Sequence, residues 1–328
     1  MLSFFLFLYF NTQGLELSNY ENLIHYGTVK FGQQDINVLF DTGSSLSWVA
    51  STDCKSCGSA GYTKYSQYLS SSVKFLHQSF ELEYGSGSIR GELGLETVEI
   101  NNLVLTNIQV GIVTEEIGLT FKHLPINGII ALAPGQGKTS LMSRLRTEHN
   151  ITNIEISLSD SVYSKGSLEF FQSYSIFKEK TLIADKWTVQ FAEILFGELD
   201  FCKFIGKCRA VVDTGTSLII LPKGLYREVS KRYRLQADCK NFAEMPELEM
   251  KIGDWVYEIG TDGVIVYDQG VCTLAFMQME LIDQEGSFIV LGGTFLRNCV
   301  IILDFSSDSI AIRPKFPIFA KNKLASPS

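Results

Sequence analysis

Residues 40–51 read FDTGSSLSWVAS, and about 170 positions later residues 211–222 read VVDTGTSLIILP. The same Asp-Thr-Gly-x-Ser-Leu phrase, each time led in by an apolar, strand-like run, constrains the chain more than any other feature. A repeat of that period in 328 residues predicts two half-sized lobes with one phrase in each. A second echo strengthens the duplication. Each phrase is followed at a distance by an apolar pair running into small residues, NGIIALA at 127–133 and FIVLGGTF at 288–295.

The texture between these landmarks predicts an all-β fold. Short runs rich in Val, Ile, Phe, Thr and Tyr, such as INVLF, ETVEI, WTVQF and FIVLG, alternate with Gly, Ser, Asn and Asp, the pattern of strands and turns. Helical spacing occurs only at 140–149 and, just after Pro222, at 224–233, so few short helices are expected. No Pro-rich or low-complexity linker divides the chain. The lobe boundary is placed within 165–185, giving lobes of 15–175 and 176–328.

Net charge is −8 and the isoelectric point near 5.2, with Lys and Arg scattered, which speaks against nucleic acid or anionic lipid as a partner. The start, MLSFFLFLYF, is apolar and followed by polar NTQG. Its size suits a secretory signal peptide over 1–14 rather than a membrane span. No Lys or Arg follows the initiator Met, so a buried N-terminal strand is the rival reading. The tail KNKLASPS carries no hydrophobic extension, so no membrane anchor is expected and the mature chain is expected to be soluble. Seven cysteines are present. In a secreted chain Cys54/Cys57, Cys202/Cys208 and Cys239/Cys272 would form three bridges and leave Cys299 over as a buried thiol. Outside that context CKSC at 54–57 would be half a zinc site or a redox pair.

An apolar strand running into Asp sets a carboxylate at a strand end. The following Gly allows a tight turn with its N–H near that carboxylate, and the Thr hydroxyl can bond to a neighbouring loop. Two such loops facing each other would bring Asp41 and Asp213 together, where one proton is shared because both cannot ionise comfortably. A water between them could then be activated by the ionised carboxylate while the protonated one binds a peptide carbonyl. Ser44 and Thr216, three positions after each Asp, can donate to the outer carboxylate oxygens. The four histidines, 25, 77, 123 and 149, are scattered, read as surface or loop residues, and suggest neither a metal site nor a Ser/His/Asp triad. Asn150 opens the sequon NIT.

Over roughly residues 20–314 the chain resembles the pepsin-like aspartic endopeptidases. The motifs that carry the likeness are YGTVKFG at 26–32, FDTGSSLSWV at 40–49, YGSGSIRGELGLETVEI at 84–100, NGIIALAP at 127–134, AVVDTGTSLIILP at 210–222 and VLGGTFLRNCVIILDF at 290–305. The resemblance implies a bilobal, all-β, pepsin-like double β-barrel with a central cleft. Asp41 and Asp213 would be catalytic, supported by Thr42, Gly43, Ser44, Thr214, Gly215 and Thr216. The hairpin at 82–91 would be a flap that closes over substrate, with Tyr84, Gly85 and Ser86 at its tip and the Tyr84 phenol bonded to the Trp48 indole. Leu39, Ile126 and Ile129 would line the primary specificity pocket with Tyr84, giving a preference for bulky hydrophobic side chains beside the cleaved bond. It further implies peptide or protein substrates, no cofactor and no metal, a monomer, an acidic optimum, pepstatin sensitivity, and a place in the secretory route, secreted or in a lysosome or digestive vacuole. The rival from another class is a catalytically silent relative that keeps the cleft as a peptide-binding module.

Several positions depart from the family pattern. About a dozen residues separate the apolar start from NLIHYGTV, where the family carries a basic pro-segment of several tens. Asn127 stands where an Asp is usual, and the CKSC loop is short. Ala131 replaces a Gly beneath the catalytic loop, where an added methyl would strain a tight site by roughly 1–3 kcal/mol.

Overall fold

A computed structural model describes residues 13–58, 61–85, 87–118, 121–135, 137–172, 186–253 and 255–315. Residues 1–12 of the expected signal peptide, Ser86, the C-terminal tail and most of the expected lobe boundary lie outside the described residues. Among those described, strands dominate, and four α-helices are short.

The alternating segment 24–31 becomes the strand Ile24–Phe31, which turns back as Gln34–Asp41. A twelve-stranded sheet runs from Ser309–Pro314 at one end to Lys74–Tyr84 at the other. Pairing of Phe31 with Val98 folds it back on itself. The strand Cys299–Asp304, from the end of the sequence, joins this sheet through Asn153–Ser157, so the halves share a sheet as well as a cleft. The largest apolar core likewise draws on both, from Phe31 and Ile130 to Trp187 and Phe295.

The two Asp-Thr-Gly phrases sit on the same four-strand arrangement. In the first half Gln34–Asp41 runs parallel to Gly128–Ala131, which pairs antiparallel with Ser47–Ala50, itself parallel to Leu103–Gly118. In the second, Arg209–Val212 runs parallel to Ile289–Leu291, which pairs antiparallel with Ile219–Pro222, itself parallel to Phe276–Met279. The strands Ser47–Ala50, Gly128–Ala131, Arg209–Val212, Ile219–Pro222 and Ile289–Leu291 are buried along their whole length, as continuous apolar runs covered on both faces must be, whereas Phe276–Met279 at the edge of the second set is partly open.

The helices expected at 140–149 and 224–233 appear as Leu141–His149 and Lys223–Arg232. The first is capped by the Ser140 hydroxyl, which accepts from the Ser143 N–H, and it ends on Asn150 in the left-handed region, the usual start and stop signals. Phe201–Ile205 and Gly293–Leu296 are too short to register as helical periodicity.

Three bridges form, Cys54–Cys57, Cys202–Cys208 and Cys239–Cys272, leaving Cys299 buried and free. The CKSC pair is therefore a disulfide rather than a zinc site, and Lys64 donates to the carbonyls of both its cysteines. The reading of all histidines as surface or loop residues fails for His25. It is 4% exposed, lies within a strand, and donates from Nε2 to the Ser159 carbonyl at 2.9 Å. Strand alternation is the cause, since residues 25, 27, 29 and 31 share the inward face.

Candidate active site

Both loops hold their carboxylate in the same way. Asp41 accepts from the Gly43 N–H at 2.8 Å and from the Ser44 hydroxyl. Asp213 accepts from the Gly215 N–H at 2.8 Å and the Thr216 hydroxyl at 2.8 Å. The threonines lock the loops to each other. Each backbone N–H, of Thr42 and Thr214, donates to the other threonine's hydroxyl at 3.0 Å. Each hydroxyl then donates to the opposite strand, Thr42 to the Val212 carbonyl and Thr214 to the Phe40 carbonyl. Four buried hydrogen bonds thus fix the carboxylates relative to one another, with little freedom left to either loop.

The glycines serve clearance more than turning. Neither Gly43 nor Gly215 has a positive φ. A Cβ at Gly43 would lie 2.8 Å from the Asp213 carboxyl carbon, and one at Gly215 would lie 2.5 Å from that of Asp41. Each loop therefore lies over the other's carboxylate, and any side chain there would collide with it.

Asp41 is buried, and its pKa is driven well above the ordinary carboxylate range. Burial is the largest cause, followed by the negative charge of Asp213, with a hydrogen bond between the two carboxyls also favouring the protonated form. The Ser44 hydroxyl and Gly43 N–H oppose the rise without cancelling it. Two carboxyls this close hold one proton between them into mildly acidic solution.

Above the pair lies a cavity of about 630 Å³ bounded by both halves and by the hairpin Lys74–Tyr84 and Gly87–Ile100. The Trp48 indole donates to the Tyr84 phenol at 2.8 Å, and the Phe121 ring packs edge-to-face with both, its centroid 5.0 Å from each of theirs. Tyr84 also bonds to Ser44, and burial raises its pKa. A continuous polar chain thus runs from Trp48 through Tyr84 and Ser44 to Asp41. Gly85 reaches the opposite wall, where a Cβ would lie 3.3 Å from the Met279 methyl.

Leu39, Ile129 and Tyr84 line the cavity, whereas Ile126 lies behind it, against Trp48 and Phe121 in the same apolar cluster. Sequence reasoning missed Phe121, Leu124, Ile220, Met277, Met279 and Val290, which also line it. The internal repeat could have found two of these. Register pairs Leu39 with Ile129 and Val211 with Val290, and it pairs Trp48 with Ile129 and Ile220 with Val290, so Val290 matches Ile129 and Ile220 matches Trp48.

Comparison with known proteins agrees with this geometry. Chicken (Gallus gallus) pepsin A is 27% identical over 316 residues, covering 91% of this chain and 86% of that protein. The pig (Sus scrofa) and cattle (Bos taurus) pepsins A are each 26% identical over 321 residues, covering 91% of this chain and 83% and 86% of theirs. The family model for eukaryotic aspartyl proteases matches residues 20–315, a span that holds both Asp-Thr-Gly loops, the hairpin and the cavity between them. With two facing carboxylates on a duplicated strand frame and a match over nine-tenths of its length, the chain belongs to the eukaryotic aspartyl protease family.

Proposed function

We propose that the protein is an endopeptidase that cleaves peptide bonds at acidic pH with Asp41 and Asp213 as its catalytic pair. A water between them gives a proton to the ionised carboxylate as it attacks the scissile carbonyl, while the protonated carboxyl donates to the carbonyl oxygen. Acid and base act in one step with no covalent intermediate and no cofactor. Ser44 and Thr216 hold the outer oxygens, so each carboxylate keeps its lone pairs aimed inward. The hairpin, with Gly85 at its tip, closes over an extended substrate and excludes bulk water.

One observation carries this reading: the Asp41 and Asp213 carboxyls, each held by its own loop's glycine N–H and hydroxyl, face each other at the floor of a cavity walled by apolar residues of both halves. Leu39, Ile129 and Tyr84 on that wall favour bulky hydrophobic side chains beside the cleaved bond, with Ile126 backing them. Three disulfides suit an oxidising compartment, and we place the mature protein, as a monomer, on the secretory route, secreted or in a lysosome or digestive vacuole.

The test is cleavage of a denatured protein substrate between pH 3 and 6, blocked by a pepstatin-type inhibitor. Absence of cleavage across that range ends the endopeptidase reading. Tight binding of apolar peptides without hydrolysis would make the protein a peptide-binding module instead.

A further inference from the structure

Sulfur is distributed unevenly in this molecule. Six of the seven cysteines are bridged and Cys299 is fully buried. Met142, Met245 and Met250 are 5%, 7% and 1% exposed. Met277 is 46% exposed and Met279 half-buried. Both lie on the strand Phe276–Met279, two positions apart and hence on one face, and both line the cavity. Met279 packs on the apolar cluster of Val211, Ile220 and Val290 and meets the hairpin tip at Gly85. Among the described residues, the sulfurs open to a small oxidant are therefore these two, and they lie on a substrate wall.

We propose that Met277 and Met279 form an oxidation-sensitive element of the cleft, converted by hydrogen peroxide to methionine sulfoxide with a loss of activity toward bulky apolar side chains. The thioether sulfur attacks one peroxide oxygen, an S–O bond forms as the O–O bond breaks, and the other oxygen leaves as water. Sulfur is oxidised by two electrons and the peroxide is reduced by two. A flexible apolar side chain becomes a polar one. At Met279 the new oxygen would face an apolar cluster and the Gly85 backbone, so hairpin closure over an apolar substrate residue would desolvate it without an assured partner. The consequence for activity rests on the endopeptidase reading; the order of oxidation does not.

The experiment treats the full folded chain with graded hydrogen peroxide, maps each methionine peptide by mass, and measures kcat/KM for a peptide with large apolar residues at the cleaved bond. Met277 should gain oxygen first and Met279 second, both well before Met142, Met245 and Met250. kcat/KM should fall about tenfold in step, the scale set by disturbing one pocket contact. The double variant Met277→Leu, Met279→Leu, whatever its starting rate, should keep that rate through the same treatment. Oxidation of the core methionines at the same pace, or an equal loss of activity in the double variant, overturns the proposal. If the untreated protein hydrolyses nothing, the endopeptidase reading fails separately. The inference is then decided by the oxidation order and by calorimetric affinity for the same peptide, which must weaken on oxidation in the native chain alone.

Discussion

The Asp41 and Asp213 loops hang on matching strands but are backed differently. Strand register sets Ala131 level with Asp41, and continuing the pairing of Val212 with Leu291 sets Gly292 level with Asp213. In the second half the backbone from Gly292 to Thr294 is sewn to the loop before it, with N–H groups donating to the carbonyls of Leu218, Thr216 and Ser217. A Cβ on Gly292 would press directly on the Leu218 and Thr216 oxygens. In the first half Ala131 carries a real methyl and ends the pairing with the Asp41 strand; its N–H donates to the Ser47 hydroxyl at 3.0 Å, and only the next two N–H groups, of Leu132 and Ala133, donate to the loop, at the Asp41 and Ser44 carbonyls. The strand beside Ala131 begins with a small Ser47 where the second half has the larger Ile219. Chemical symmetry between the two carboxylates thus rests on unequal scaffolding.

The largest effect should come from the carboxylates themselves. Asp41→Asn and Asp213→Asn should each lower kcat by roughly 10³-fold or more, since either removes half of an acid–base pair. Stability should separate the Asp41 variant from the native chain. The Asp41 carboxyl has a folded pKa raised above its ordinary 3.8, so its contribution is fully present below about pH 4 and is lost as pH rises. Asp41→Asn should therefore flatten the fall in unfolding temperature above that pH, recovering at least about 1.4 kcal/mol, the worth of one pKa unit. Calorimetry across pH 4 to 7 checks this, and parallel curves for variant and native chain would contradict it.

Next in size is Gly292→Ala. With two carbonyl oxygens in the path of the new methyl, the loop behind Asp213 must shift, at a cost of about 3 kcal/mol or more. Denaturant unfolding measures it. A cost near zero would mean that the two backings are interchangeable after all.

The halves also differ in how they respond to acid. Register matches Tyr26 to Thr188, which matches His25 to Trp187. Both rings give an N–H to a buried carbonyl, His25 to Ser159 and Trp187 to Leu132 at 2.6 Å. Only the histidine titrates. Its pKa is lowered from 6.5 to about 4, first by burial, then by Arg297 and Lys315, against the hydrogen bond to Ser159. Asp160 offsets both Arg297 and Lys315 in turn, and Cys299 adds to it at Lys315. A depressed folded pKa gives stability that is present above pH 6.5 and lost as pH falls toward 4, opposite in sign to Asp41. His25→Gln keeps a donor and should remove an acid penalty of up to about 3 kcal/mol, seen as a smaller drop in unfolding temperature between pH 6.5 and 4. An unchanged drop would clear His25.

Much of this frame is legible in the sequence, because the Asp-Thr-Gly phrases, Tyr84 and Trp48 stand at recognisable spacings and the repeat announces itself. His25 is legible too, since it shares the period-two face of Val29 and Phe31, although the polarity of a lone histidine points the other way from its phase. Phe121 and the two methionines carry no motif, and they reach the cavity only through pairings between distant strands. The clearance role of Gly43 and Gly215 was hidden for the same reason, because the colliding group belongs to the other loop.

The finest difference between the halves is the methyl of Ala131, and Ala131→Gly tests whether the first loop depends on it. The methyl is fully buried, so its removal forfeits roughly 0.8 kcal/mol of apolar burial, and glycine in a strand adds about 0.5–1 kcal/mol of backbone entropy. The sum, about 1–2 kcal/mol, is smaller than the cost of the reverse change at Gly292. It should appear as a modest loss of stability with kcat retained within about twofold, because the threonine lock between the loops does not pass through residue 131. A large fall in kcat would show instead that the position of Asp41 depends on the strand behind it, and that the two loops are held less by each other than by their separate scaffolds.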